Sequence, residues 1–131
     1  MSIKVELSVG ELIDKISILQ IKAERIIDRS KLENINKELD VLMSLWKDST
    51  NSNNNLEAEI NDLKAVNEEL WDIEDKIRDK ERNQLFDKGF IELARAVYIA
   101  NDKRADIKRI INSKTGSELI EEKSYSNYYM Q

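Results

Sequence analysis

The sequence predicts an all-α fold: an antiparallel helical bundle, in one domain spanning residues 1–131. Three observations carry this. Apolar residues recur at three- and four-residue spacing through four long runs. The chain has no proline, so no ring forces a helix to break, and its 3 glycines leave few turns that need positive φ. Charged residues make up 36% and hydrophobic residues 40%, the balance of helical bundles and coiled coils.

The first helix is expected from about Val9 to Ile27. Ser8 with Glu11 forms a capping box, and Val9, Leu12, Ile16, Leu19, Ala23 and Ile26 make a 3-4 seam. Ile18 and Ile21 lie well off that seam, and such apolar girth marks a helix central in its bundle or in an oligomer. Continuing the seam would bury Ser30 and Glu33. Leu32, Ile35, Leu39, Leu42 and Trp46 carry a new seam instead, so the chain breaks at Asp28–Ser30, with Ser30 and Glu33 as a second capping box. The second helix runs to about Lys47, and residues 48–55 read as a flexible polar loop.

The third helix is expected from near Leu56 to about Gln84, capped by Asn54 or Asn55. Its buried face is Leu56, Ile60, Leu63, Val66, Leu70, Ile73 and Ile77. A turn at 85–90, with Asp87 as cap, leads into a fourth helix carrying Phe90, Leu93, Ala94, Val97, Ala100, Ile107 and Ile111. Gly116 ends it. Residues 117–131 form a tail, acidic and then aromatic with Tyr125, Tyr128 and Tyr129, that either docks or frays.

Composition excludes several function classes. There is no histidine, the usual general base near neutral pH and the commonest metal ligand. There is no cysteine for a thiolate, a zinc site or a disulfide. No metal site and no cofactor are expected. Early charges at Lys4 and Glu6 do not suit a signal peptide, and no window approaches a membrane span. The expected location is cytoplasmic, with no membrane partner. Residues 55–86 hold 5 basic and 10 acidic side chains, and residues 87–117 hold 7 and 4. Neighbouring segments of opposite sign suggest two helices folded against each other. They argue against a nucleic-acid partner, which calls for an unpaired basic surface.

One polar constellation stands out. Arg104 falls in the middle of the fourth helix's apolar arc, with Asn101 and Lys108 on the same side. Asn67, Glu74 and Glu81 share the arc of Leu63, Leu70 and Ile77 on the third. Folding the pair about residues 86–88 brings Glu74 level with Asn101 and within reach of Arg104. Lys15 and Lys22 border the first helix's apolar face and reach the same layer. Buried charge is costly unless paired. The preferred reading is therefore a Glu74–Asn101–Arg104 network that fixes helix register. The other is a pocket in which Arg104, Lys108, Lys22 and Arg95 present donors to a small anionic ligand, a carboxylate or phosphate.

Two enzyme precedents bear on that pocket. Leu12-Ile-Asp-Lys-Ile-Ser-Ile18, a short run of common helix residues, resembles the first helix of the helical chorismate mutases. Those enzymes hold a dicarboxylate with Arg and Lys and need no metal. Glu68-Glu69-Leu-Trp-Asp72 approximates the first magnesium motif of all-α nucleotide pyrophosphohydrolases. Their second motif would fall on Glu92-Leu-Ala-Arg95, where arginine replaces the required acid. Glu68, Glu69 and Asp72 are better read as a solvated face.

Val9-Gly-Glu-Leu-Ile-Asp-Lys15, Ile21-Lys-Ala-Glu-Arg25, Leu70-Trp-Asp-Ile-Glu-Asp-Lys-Ile-Arg78, Phe90-Ile-Glu-Leu-Ala-Arg-Ala-Val-Tyr98, Asn101-Asp-Lys-Arg104 and Glu121-Glu-Lys-Ser-Tyr125 carry a wider resemblance. Over nearly the whole chain it resembles a family of small bacterial and phage proteins, a domain of unknown function. The resemblance implies a single unit. It also implies that Gly10-Glu11, Asp14-Lys15, Glu74-Asp75, Arg95, Asn101-Asp102 and Arg104 belong to the family pattern, but it brings no catalytic role. The expected function is a non-catalytic interaction or assembly module, self-associating as a homo-oligomer through Ile18 and Ile21. The alternative is a binding protein or metal-free enzyme for a small anionic ligand.

Overall fold

The computed structural model describes residues 1–53, 55–117, 119 and 121–128. It is all-α, with helices α1 (Val9–Arg25), α2 (Arg29–Asp48), α3 (Glu57–Arg82) and α4 (Lys88–Thr115), and no strand among the described residues. A single 3-10 turn, Thr50–Asn53, lies within the polar segment between α2 and α3. The antiparallel α3–α4 hairpin is the most extensive contact, α1 packs against all three other helices, and α2 leans mainly on α1.

Local chemistry sets the boundaries. Ser8 caps α1, its Oγ accepting from Glu11 N at 3.1 Å. The helix stops at Arg25, two residues short of the expected Ile27, because Ile26 is extended at φ −82°, ψ 135°. The break before α2 falls where the seam slips, but Asp28 is the cap rather than Ser30. The Asp28 carboxylate accepts from Lys31 N at 3.1 Å and from Ser30 Oγ at 2.7 Å, so the expected capping serine instead braces the cap. Those two bonds hold the Asp28 pKa below its ordinary value. Leu56 is the α3 N-cap and makes no side-chain cap bond. Asn55 therefore does not cap, and Asn54 lies outside the described residues. Leu56 instead seals the core, at 2% exposure. Asp87 caps α4 through Phe90 N at 2.9 Å, and Gly116 closes it at φ 64°.

The core centres on Ile13, Leu56, Leu63 and Ile111, with Val9, Trp46, Ile60 and Ile107 packed around it. Burying each such aliphatic side chain contributes about 1.5–3 kcal/mol. Ile21 is also buried, at 1% exposure, so it is no surface for a second copy. The girth of α1 reflects its place among three other helices of its own chain. Opposite charges on α3 and α4 meet at Lys114 and Glu59, while other α3 carboxylates turn to α1: Arg25 reaches Asp72 at 2.7 Å and Glu68 at 3.9 Å. The described part of the tail returns along α4. Lys123 meets Asp102 at 3.3 Å, and the Tyr128 ring lies 5.4 Å from that of Tyr98. Tyr129 lies outside the described residues.

Candidate functional site

Gly10, Asp14, Ser17 and Ile21 follow 4-3-4 spacing and form a second buried face of α1, turned toward α3 and α4. Asp14 has no exposed surface. The Arg104 guanidinium grips it side-on: Nε donates to Oδ1 at 2.9 Å, and Nη2 donates to Oδ2. Asn67 Nδ2 donates to the same Oδ1 at 2.9 Å and to Ser17 Oγ at 2.6 Å. Ser17 Oγ in turn donates to the Asp14 carbonyl at 2.8 Å. One turn along α4, Lys108 Nζ lies 3.9 Å from Asp14, 3.2 Å from Glu11 and 2.9 Å from Glu121 of the tail. Next, the Asn112 Oδ1 accepts from Gly10 N at 2.7 Å, so α4 satisfies a free amide in the first turn of α1. A Cβ on Gly10 would stand 2.6 Å from the Lys108 carbonyl oxygen, and this close approach of α1 and α4 requires glycine.

Hydrogen bonding to Asp14 raises the Arg104 pKa, outweighing the opposing effect of burial. For Lys108, burial opposes the charge, yet Glu121, Asp14 and Glu11 together raise its pKa. The same contact lowers that of Glu121. Two cations thus face three carboxylates. Among the described residues, no buried side-chain polar atom lacks a partner.

Arg104, Asn101 and Glu74 do come together. They line one cleft of about 390 Å³ with Asn67, Asp75, Ile18, Leu70 and Trp71. Glu74 is not the partner of Arg104, however. It is exposed and accepts from Arg78 Nε at 3.1 Å. Lys108 is buried and held by its three carboxylates, away from the cleft. Lys15 and Arg95 are exposed and Lys22 is half-buried, and none of them lines the cleft. Sequence reasoning names Asp14 and Glu121 only through the family resemblance, gives Ser17 and Asn112 no role, and places none of the four in the polar layer. The signal for Asp14 lay in the supposedly off-face isoleucines, since it sits between Ile18 and Ile21 on the helical wheel. The acidic run Glu68–Asp72 is occupied by Arg25, whose guanidinium also stacks 5.7 Å over the Trp71 ring. Among the described residues no three acidic groups are placed to hold a metal ion, and no helix is long and apolar enough to cross a membrane.

No curated protein matches the sequence, and no solved structure does. One family model matches residues 3–130, that of a family of unknown function, DUF6165. The chain belongs to that family, and the match covers every residue of the polar layer.

Proposed function

We propose that the protein is a non-catalytic assembly module that pairs with a second copy of itself through α2. The observation that carries this reading is the outer face of that helix. Only Ile35 of its 20 residues is buried. Val41 and Leu45 are each 57% exposed. With Asn34, these side chains form one stripe about a third of a turn from the face that meets α1. Exposed apolar stripes of this kind mark interaction surfaces.

Charge favours a second copy as the occupant. The first half of α2 carries Arg29, Lys31 and Lys37 against Glu33 and Glu38. The second half carries Asp40 and Asp48 against Lys47, so the halves differ in sign by one net charge each. Two such helices packed antiparallel about a two-fold axis set each basic half on an acidic one, as an isologous contact requires.

Sedimentation of the full chain tests this. The wild type is expected to associate as concentration rises. Val41→Glu with Leu45→Lys is expected to sediment as a folded monomer. The charge pattern gives a second arm. Lys31→Glu with Lys37→Glu, and separately Glu38→Lys with Asp48→Lys, should each abolish self-pairing, while an equimolar mixture of the two should pair. A wild type that stays monomeric at the highest soluble concentration removes the proposal. So does a mixture that fails to pair when the wild type does.

A further inference from the structure

We infer that the cleft beside Arg104 binds a small zwitterion with an apolar body, the chemistry of a free α-amino acid with an aliphatic or aromatic side chain. Its volume of about 390 Å³ is that of a small-molecule site. Ile18, Leu70 and Trp71 give it an apolar wall. Of the polar groups around that wall, Arg104 and Asn67 are held in place yet not used up.

Asp14 takes Nε and one edge of Nη2 from Arg104. The outer edge of the guanidinium, Nη1 with the second N–H of Nη2, meets no acceptor among the described residues. Asn67 is fixed by the opposite logic. Its Nδ2 donates both protons, one to a carboxylate that only accepts, so the amide orientation is determined. Its Oδ1 therefore faces the other way. It accepts no hydrogen bond from a described residue, so it is not among the fully buried polar atoms and keeps some exposure in the cleft that Asn67 lines. Asn101 is half-buried on the same wall, and its amide has no partner among the described residues. Asp75 stands exposed at the rim, and Glu74 shares its charge with Arg78.

This array is bipolar. Donors from Arg104 and Asn101 suit a carboxylate. Acceptors from Asn67 and Asp75 suit an ammonium. A simple anion would find the Arg104 charge already offset by Asp14 and would face the carboxylates at the rim. A ligand that carries its own positive charge meets both ends of the cleft.

The test is an NMR titration of the full chain with free leucine, phenylalanine and tryptophan. N-acetyl-leucine, leucinamide and inorganic phosphate are the comparators. Saturable shifts are expected at the Trp71 indole and at the Asn67 and Asn101 side-chain amides. Removing either charged end of the ligand should weaken binding about tenfold or more, one charge-assisted contact being lost. Asn101→Leu should weaken the zwitterion and N-acetyl-leucine alike. Asp75→Asn should weaken the zwitterion and leave N-acetyl-leucine unchanged. Both substitutions lie outside the Asp14 network, so the fold persists. The inference is overturned if no zwitterion gives a saturable shift, if phosphate or N-acetyl-leucine binds as tightly, or if neither substitution changes the affinity.

Discussion

Asp14 has no surface in contact with water; one guanidinium and one amide hold its carboxylate, and the Lys108 ammonium stands farther off at 3.9 Å. A buried ion pair contributes little net stability, but breaking it leaves a charge with no compensation. Arg104→Met should therefore cost about 3–5 kcal/mol in a urea melt. Asp14→Leu combined with Arg104→Met should recover most of that loss. Glu74→Gln should stay within about 0.5 kcal/mol of wild type, because its pair with Arg78 is exposed. A double-mutant cycle should show strong coupling of Arg104 to Asp14 and almost none to Glu74; the reverse order would refute the pairing. Arg104 itself was legible in the sequence, since a charge centred in an apolar arc has to find a partner. Its partner was not. A helical wheel of two helices places α3 opposite α4 and hides the third helix, which supplies the acid.

At the level of elements, the caps at Ser8, Asp87 and Gly116 and the break before α2 could be read from local chemistry. Other ends depend on tertiary packing. Leu56 starts α3 because it plugs the core, and α3 ends with Gln84 at φ 56°, a left-handed residue that glycine or asparagine would have announced. The same contrast separates two glycines. At Gly10 an added methyl meets the Lys108 carbonyl oxygen at 2.6 Å, backbone that cannot move aside. Gly10→Ala should destabilise by about 1–3 kcal/mol and lengthen the Asn112 hydrogen bond. At Gly89, in the first turn of α4, the nearest atom is the Lys80 ammonium nitrogen at 3.1 Å, the far end of a flexible side chain. Gly89→Ala should stabilise by about 0.5–1 kcal/mol through lost unfolded-state entropy. Thermal melts of the two variants should shift in opposite directions. A stabilising Gly10→Ala would mean that α1 and α4 do not approach as described.

Across the whole molecule, the two ends of the chain meet at Lys108. Glu11 comes from the first turn of α1 and Glu121 from the tail, and both reach its ammonium from opposite ends of the sequence. Periodicity could not show this, because the tail has no helical pattern and its register on α4 is set by ion pairs and by Tyr128 on Tyr98. The docking should titrate at both ends of the pH scale. The Glu121 pKa is lowered by Lys108, so its contribution is present above the ordinary carboxylate range and is lost as pH falls through the lowered value. The Lys108 pKa is raised, so its contribution is present below the ordinary lysine value and is lost as pH rises through the raised one. Between those limits the tail stays docked. Glu121 is half exposed, which limits the contact to about 0–1 kcal/mol, or up to about fivefold in protection. Amide hydrogen exchange, corrected for intrinsic rate, should show residues 121–128 losing that protection on acidification while α3 and α4 keep theirs. Lys108→Met should lower the tail's protection at neutral pH by up to that factor and weaken its acid dependence, while the Lys123–Asp102 pair and the Tyr128–Tyr98 contact remain. Tail exchange that ignores both acid and the substitution would show that Lys108 does not hold it.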